Sequence, residues 1–196
     1  MASSEPDRGR PGRLRRSATE LLTAWQAPDD AQEALRRAYL QHIEAYDNAL
    51  LRECRAGHIT ASTLVVDAAR ERMLLTLHPI VGRWLQTGGH CEATDADIVA
   101  AAAREAREES GIAGLTIDPD PLRLDRHSVR CRPPQGQPIE LHHLDVQFLA
   151  LAPAGAVASR SDESDDLRWF AWDAPPAGLD ASVAALMSSA RLRMFR

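Results

Sequence analysis

Between Arg104 and Glu109 the chain reads Arg-Glu-Ala-Arg-Glu-Glu, with Gly111 and Ile112 just beyond. In a helix, Glu105, Glu108 and Glu109 stand at i, i+3 and i+4, on one face. Like charges so spaced repel by roughly a few tenths of a kcal/mol per pair when exposed. Arg104 can offset Glu108 at i+4, while Arg107 points elsewhere. A hard divalent cation would draw such acids together: Mg²⁺ takes oxygen ligands, keeps several waters and completes its shell with substrate phosphates. On spacing alone, a solvated helix face is the simpler reading.

The flanks shift that balance. Gly88 and Gly89 sit upstream, where a glycine pair permits a tight turn and close backbone approach. Gly111 is a suitable helix stop. The other helix face, Ile98, Ala101, Ala102 and Ile112, is small and apolar and can lie close against a sheet. A helix over 95–110, opening at Thr94 or Asp95, thus presents three acids and backbone carbonyls to one point.

The elements around it alternate. Residues 1–16 are polar and arginine-rich and read as a disordered basic tail. Residues 17–56 read as a helical extension. Ser17 or Thr19 caps its start, Asp29 or Asp30 caps a second helix, and Gly57 stops it. Its stripe of Ala34, Leu35, Ala38, Tyr39, His42, Ile43, Tyr46 and Leu50 must pack on the main domain or on a second subunit, so a homodimer through these helices is one expectation. Strands are expected after Gly57, from His58 to Asp67, at 72–78, at 114–125 where prolines break the run, at 140–152, and over "DDLRWFAW". "CRPPQGQP" is expected to be a hairpin connection, and a last helix falls at 179–192. The fold class is α/β (α+β): an α/β/α sandwich with a mixed sheet.

The motif resembles the box of the Nudix hydrolases, G-x5-E-x7-R-E-U-x-E-E-x-G-U. Its second half is filled from Arg104 to Ile112, with Ala106 small at the aliphatic position. In the first half Gly89 leads, Asp95 stands in the acid position, and one extra residue precedes Arg104. The resemblance covers about 57–196 and implies a Nudix-like sandwich and a Mg²⁺- or Mn²⁺-dependent hydrolase of a diphosphate linkage. It implies metal ligation by Glu108, Glu109 and the Gly88 carbonyl. Glu105 would be a ligand or the base for the attacking water, with Arg104 orienting it as its catalytic partner. Glu163, in the acidic loop "SDESDD", is a candidate further ligand, with Asp162 behind it. The cation would neutralise the diphosphate and lower the pKa of bound water.

In "ELHHLDVQF" strand alternation places His143 and Asp145 on one face and His142 and Leu144 on the other. His90, His143 and Asp145 are the substrate-binding candidates. The histidines show no spacing convincing for a His-only metal site. Trp84, Trp169 and Phe170 read as core. No G-x-S-x-G elbow supports serine nucleophilic catalysis.

Composition sets the outer bounds. The chain has 196 residues, 44% of them hydrophobic, and a formal charge of −5, with arginine but no lysine. Nothing global favours a nucleic-acid polymer or an anionic membrane. There is no apolar run near 18 residues and no secretory signal, and three separated cysteines suggest no disulfide framework, so the expected location is the cytoplasm. The expected partner is a small diphosphate, such as a nucleoside diphosphate derivative. Two alternatives share the fold: a prenyl-diphosphate isomerase, for which Cys91 is the cysteine at hand, and a non-catalytic module binding a nucleotide metabolite.

Overall fold

The architecture is built on one strand. β1 (His58–Val66) is rich in β-branched residues and buried along its whole length. In this computed structural model, which describes residues 10–131 and 137–195, it pairs in parallel with β7 (Ile139–Leu151) from His58↔His143 to Val66↔Leu151. Its other edge is shared. The first part pairs antiparallel with β4 (Thr87–His90), and the last residues with β2 (Arg72–His78). β3 (Arg83–Leu85) and β8 (Asp166–Ala171) flank β2, while β5 (Thr116–Ile117) and β6 (Arg123–Cys131) flank β7, giving one mixed sheet of eight strands. The β6–β7 ladder closes at Cys131↔Ile139. The expected hairpin connection itself lies at 132–136, outside the described residues.

Strand alternation divides the sheet. Ile59, Ala61, Leu144, Val146 and Phe148 face α1 (Arg10–Ala24), α2 (Asp30–Ala45) and α3 (Ile98–Ser110). Leu64, Val66, Met73 and Leu75 face α4 (Ala181–Met194). Helices therefore cover both faces, as the α/β/α expectation required. At the end of the sheet away from Leu64 and Val66, the second face turns polar, with His58, Thr60 and Ser62 on β1.

The N-terminal boundary needs correction. The first helix begins at Arg10, inside the stretch 1–16 expected to be disordered; residues 1–9 lie outside the described ones. Leu14, Ala18 and Leu22, four residues apart and fully buried, supply the apolar stripe that makes this stretch a helix. Ser17 and Thr19 are then mid-helix and donate to the carbonyls of Leu14 and Arg15 instead of capping. Asp29 caps α2 by accepting from the Gln32 N–H at 2.8 Å. That helix ends at Ala45, well before Gly57, because Tyr46 is extended. Its stripe is covered in part by this chain's own sheet: Tyr39 and Ile43 are buried, while Ala34 and Tyr46 stay exposed. Gln32 brackets the backbone of Leu124, and the Tyr39 hydroxyl donates to the Asp125 carbonyl at 2.6 Å. Tyr39 and Ile43 of that apolar surface are thereby used within one chain. Among the described residues no helix is long and apolar enough to cross a membrane.

Candidate active site

The site forms where β4 turns into α3. A Cβ on Gly88 would sit 2.3 Å from the Ser62 Cβ, at a φ of +152°. On Gly89 it would sit 2.7 Å from the Glu105 carboxylate. One glycine thus lets β4 close on β1, and the other leaves room for an acid side chain directly over the strand. α3 starts at Ile98 with Asp97 as its cap, not Thr94 or Asp95, and ends at Gly111 in the left-handed region (φ 66°). Ile98, Ala101, Ala102 and Ala106 are buried against the sheet, which turns the acids to the opposite edge.

Asp95 is released from capping for another task. Arg104 donates to its two oxygens at 3.0 and 3.1 Å. The same guanidinium donates to Glu105 Oε1 at 2.9 Å, to Glu108 Oε2 at 3.0 Å and to the His90 carbonyl at 2.9 Å. The extra residue before Arg104 is absorbed in the turn, and the two groups still meet. Asp95 and the Glu105 charge hold Arg104 above its ordinary pKa. Arg104 locks the acids in place from behind.

The carboxylates differ in setting. Glu108 is 52% exposed, while Glu105 is only 13% exposed. Burial raises the Glu105 pKa, the Arg104 charge opposes the rise, and the Glu108 and Glu163 charges add to it. Burial pushes Glu109 up to about 8, with Glu105 adding and a hydrogen bond from the Gly88 backbone subtracting. Glu109 Oε2 is sealed from solvent and has no hydrogen-bond partner among the described residues. Such an orphaned carboxylate oxygen is costly unless something cationic meets it. Glu105, Glu108 and Glu109 are an all-oxygen donor set beside the Gly88 backbone, and that set fits a hard divalent ion. Glu163 is exposed, and its charge adds to the rise at both Glu105 and Glu109.

His90, His143 and Asp145 share the polar face beside β4. Asp145 is only 3% exposed and is occupied within the protein. It accepts from Thr60 (2.8 Å), Ser62 (2.6 Å), Gln147 (3.1 Å) and Gln86 (3.4 Å). Burial nevertheless raises its pKa. Asp145 is therefore a floor beneath the face, and the half-buried His90 and His143 are the groups that line it. Cys91 is packed in the core with its thiol pushed well above its ordinary pKa. Trp84 lies edge-on to Phe170 at 4.9 Å, as core packing expects. A groove lined by Val66, Arg70, Thr116, Asp118 and Arg193 lies at the far end of β1, away from the carboxylates.

Two features of the polar face escape sequence inspection. The Thr60, Ser62, Gln86 and Gln147 cradle around Asp145 is assembled from separate segments of the chain. So is the approach of His58 to His90 and His143, whose ligand nitrogens lie within 4.8 Å of one another. Their chain spacing gave no sign of this grouping, because strand register, not chain spacing, brings them together.

A family model described as the NUDIX domain matches residues 57–188. Solved structures of similar fold include a C. elegans Ap4A hydrolase binary complex, 20% identical with TM-score 0.55, covering 69% of this chain and 96% of that one. The E. coli dihydroneopterin triphosphate pyrophosphohydrolase is 18% identical with TM-score 0.56, over 69% of this chain and 95% of that one. The NUDIX domain of Shewanella oneidensis NrtR, complexed with ADP ribose, is 18% identical with TM-score 0.52, over 79% and 97%. At these identities the likeness is one of fold. No curated protein matches the chain.

Proposed function

Because this chain belongs to the NUDIX domain family of pyrophosphohydrolases, we propose that it hydrolyses a diphosphate linkage in a nucleoside diphosphate derivative or a related small metabolite, with Mg²⁺ or Mn²⁺. The observation that carries this reading is the sealed Oε2 of Glu109, without a hydrogen-bond partner among the described residues, beside the largely buried Glu105. Glu108, Glu109 and the Gly88 carbonyl would hold the ion, with Glu163 as a further oxygen donor, while Glu105 serves as the base rather than as a ligand. When bound, it neutralises diphosphate charge and acidifies water.

The chain's own groups do the rest. Glu105 accepts the proton of the attacking water as its oxygen bonds to one phosphorus. The bridging P–O bond then breaks, and the second phosphate leaves with the electron pair. Arg104 does not reach the substrate in this scheme. It positions Glu105 through the 2.9 Å bond to Oε1, so the other carboxylate oxygen is the one free for the proton. His90 and His143 line the polar face at the substrate end of the cleft, with Asp145 fixing the strand face beneath them. The free, buried Cys54 and Cys91 agree with a reducing cytoplasm. The isomerase alternative loses support, since Cys91 is buried in the core. The non-catalytic alternative stays distinguishable by turnover, and an ADP-ribose complex of a NUDIX domain makes that compound a sensible ligand to include.

The test is a product-resolved screen with Mg²⁺ over nucleotide sugars, dinucleoside polyphosphates, ADP-ribose, coenzyme A and nucleoside triphosphates. Cleavage of at least one anhydride is expected, with Glu108→Gln abolishing it. Glu105→Gln should lower kcat by about 10²–10⁴-fold, the usual reach of a general base, with KM little changed. Equal losses in kcat and affinity would remove Glu105 from the chemical step. Tight binding without turnover by the native chain would refute the hydrolase reading.

A further inference from the structure

The polar end of the sheet carries a cluster the carboxylate chemistry does not use. His58 faces His143 directly across the parallel β1–β7 ladder, and His90 lies diagonally across on β4. The three rings form a near-equilateral triangle, with centroids 4.8, 4.8 and 5.1 Å apart. Each Nε2 is sealed from solvent and has no hydrogen-bond partner among the described residues. Three unpaired nitrogens around one point cost free energy that a shared partner would recover.

The geometry points to a second, nitrogen-lined metal site: His58, His90 and His143 bind a borderline transition ion, Zn²⁺ foremost, through their Nε2 atoms, apart from the oxygen site on α3. Imidazole favours zinc and its neighbours over Mg²⁺. Tetrahedral Zn²⁺ with bonds of about 2.0–2.1 Å holds ligand nitrogens about 3.3 Å and ring centroids about 5 Å apart. The centroids already have that spacing. One ring nitrogen from each lies within 4.8 Å of the others, and ring rotation is the movement that would draw the Nε2 atoms to ligand spacing. His58 Nδ1 lies 3.3 Å from the Cys54 carbonyl. Donation of its proton there leaves Nε2 with the lone pair a metal needs, the usual outer support of a zinc histidine.

Burial keeps the rings neutral, lowering His90 to about 4 and His143 further. Fixed charges nearby are mixed. Arg52 is felt at all three rings and Glu53 at His58, while the buried Asp145 carboxylate lies two residues along β7 from His143 on the same face. A cation on the histidines would offset that buried charge. Three protein ligands leave a fourth position for water or for an oxygen or nitrogen of a bound metabolite.

The test uses the full chain, stripped with chelator and titrated with Zn²⁺ in excess Mg²⁺, which saturates the oxygen site. One equivalent of Zn²⁺ should bind. The affinity should survive Glu108→Gln/Glu109→Gln and fall at least tenfold in His143→Asn. Equal Zn²⁺ affinity in His143→Asn, or loss of zinc with the glutamate changes alone, overturns the site. Should His143→Asn misfold, Co²⁺ bound to the native chain in excess Mg²⁺ decides. A tetrahedral visible spectrum and an imidazole shell by X-ray absorption support the site. An all-oxygen octahedral shell, or no bound Co²⁺, overturns it.

Discussion

Arg104 donates at once to Asp95, Glu105, Glu108 and the His90 carbonyl. Charge-assisted bonds of this kind contribute about 1.5–3 kcal/mol each when desolvated, and here they set geometry as much as stability. Among the described residues only the Gly88 backbone eases the burial of Glu109, which gives it a pH signature. Its folded pKa, about 8, lies above the ordinary 4.5. Between those values the unfolded chain has shed a proton that the folded one keeps, so stability falls as pH rises through that window. Melts in chelator should show Tm falling from pH 4.5 to 8. Mg²⁺ should restore it at the upper end of that range, and Glu109→Gln should flatten the slope. An unchanged slope in that variant would place the titration elsewhere. At this scale the acids were legible, because i, i+3, i+4 spacing fixes a helix face whatever the rest of the chain does. Asp95 was legible as a position but not as Arg104's partner, since turn length decides that contact. The histidine triangle was not legible, because its members stand 32 and 53 residues apart along the chain.

At the scale of elements, β4 and α3 act as one part. The glycine pair is where their packing meets the chemistry, and the two glycines should fail differently. Gly88→Ala places a methyl against Ser62 in a backbone region that side chains rarely adopt, and should cost about 1–3 kcal/mol or more of stability. Gly89→Ala meets instead the far end of Glu105, a side chain that can move. It should melt close to the native protein yet lose at least about tenfold in kcat, since small displacements of a reacting group are expensive. Denaturant titration beside steady-state kinetics separates the two, and a Gly89→Ala enzyme of native kcat would disprove the close fit. Elements were easy to find in the sequence where a single period ran long, as in β1, β7 and α3. Their ends were harder. The stretch "ATDAD" offers Thr94, Asp95 and Asp97 as capping side chains, and only the path of the turn selects Asp97.

For the whole molecule, the helices before β1 are part of the core. Leu14, Leu22, Tyr39 and Ile43 share one buried cluster with Ile59, Leu144 and Phe148. Leu22→Ala should cost about 2–5 kcal/mol by denaturant melt. A chain trimmed to 57–196 should aggregate, although it contains the whole matched family segment; a soluble, cooperatively melting fragment would show the extension to be dispensable. The sequence left open whether that stripe packed within the chain or between chains, because amphipathicity states that a face must be covered and not by what. Strand order was hidden for the same reason: alternation reveals a face, not a neighbour. The parallel pairing of β1 with β7 has one more consequence, for the order of synthesis. Thr60 and its partner Asp145 are 85 residues apart. At roughly 5–20 residues per second, a ribosome leaves β1 without its longest neighbour for on the order of 4–17 s. A strand destined for burial along its whole length therefore waits, half-paired, while the rest of the protein is made, and the newborn chain is at its most adhesive along the β1 edge until β7 arrives.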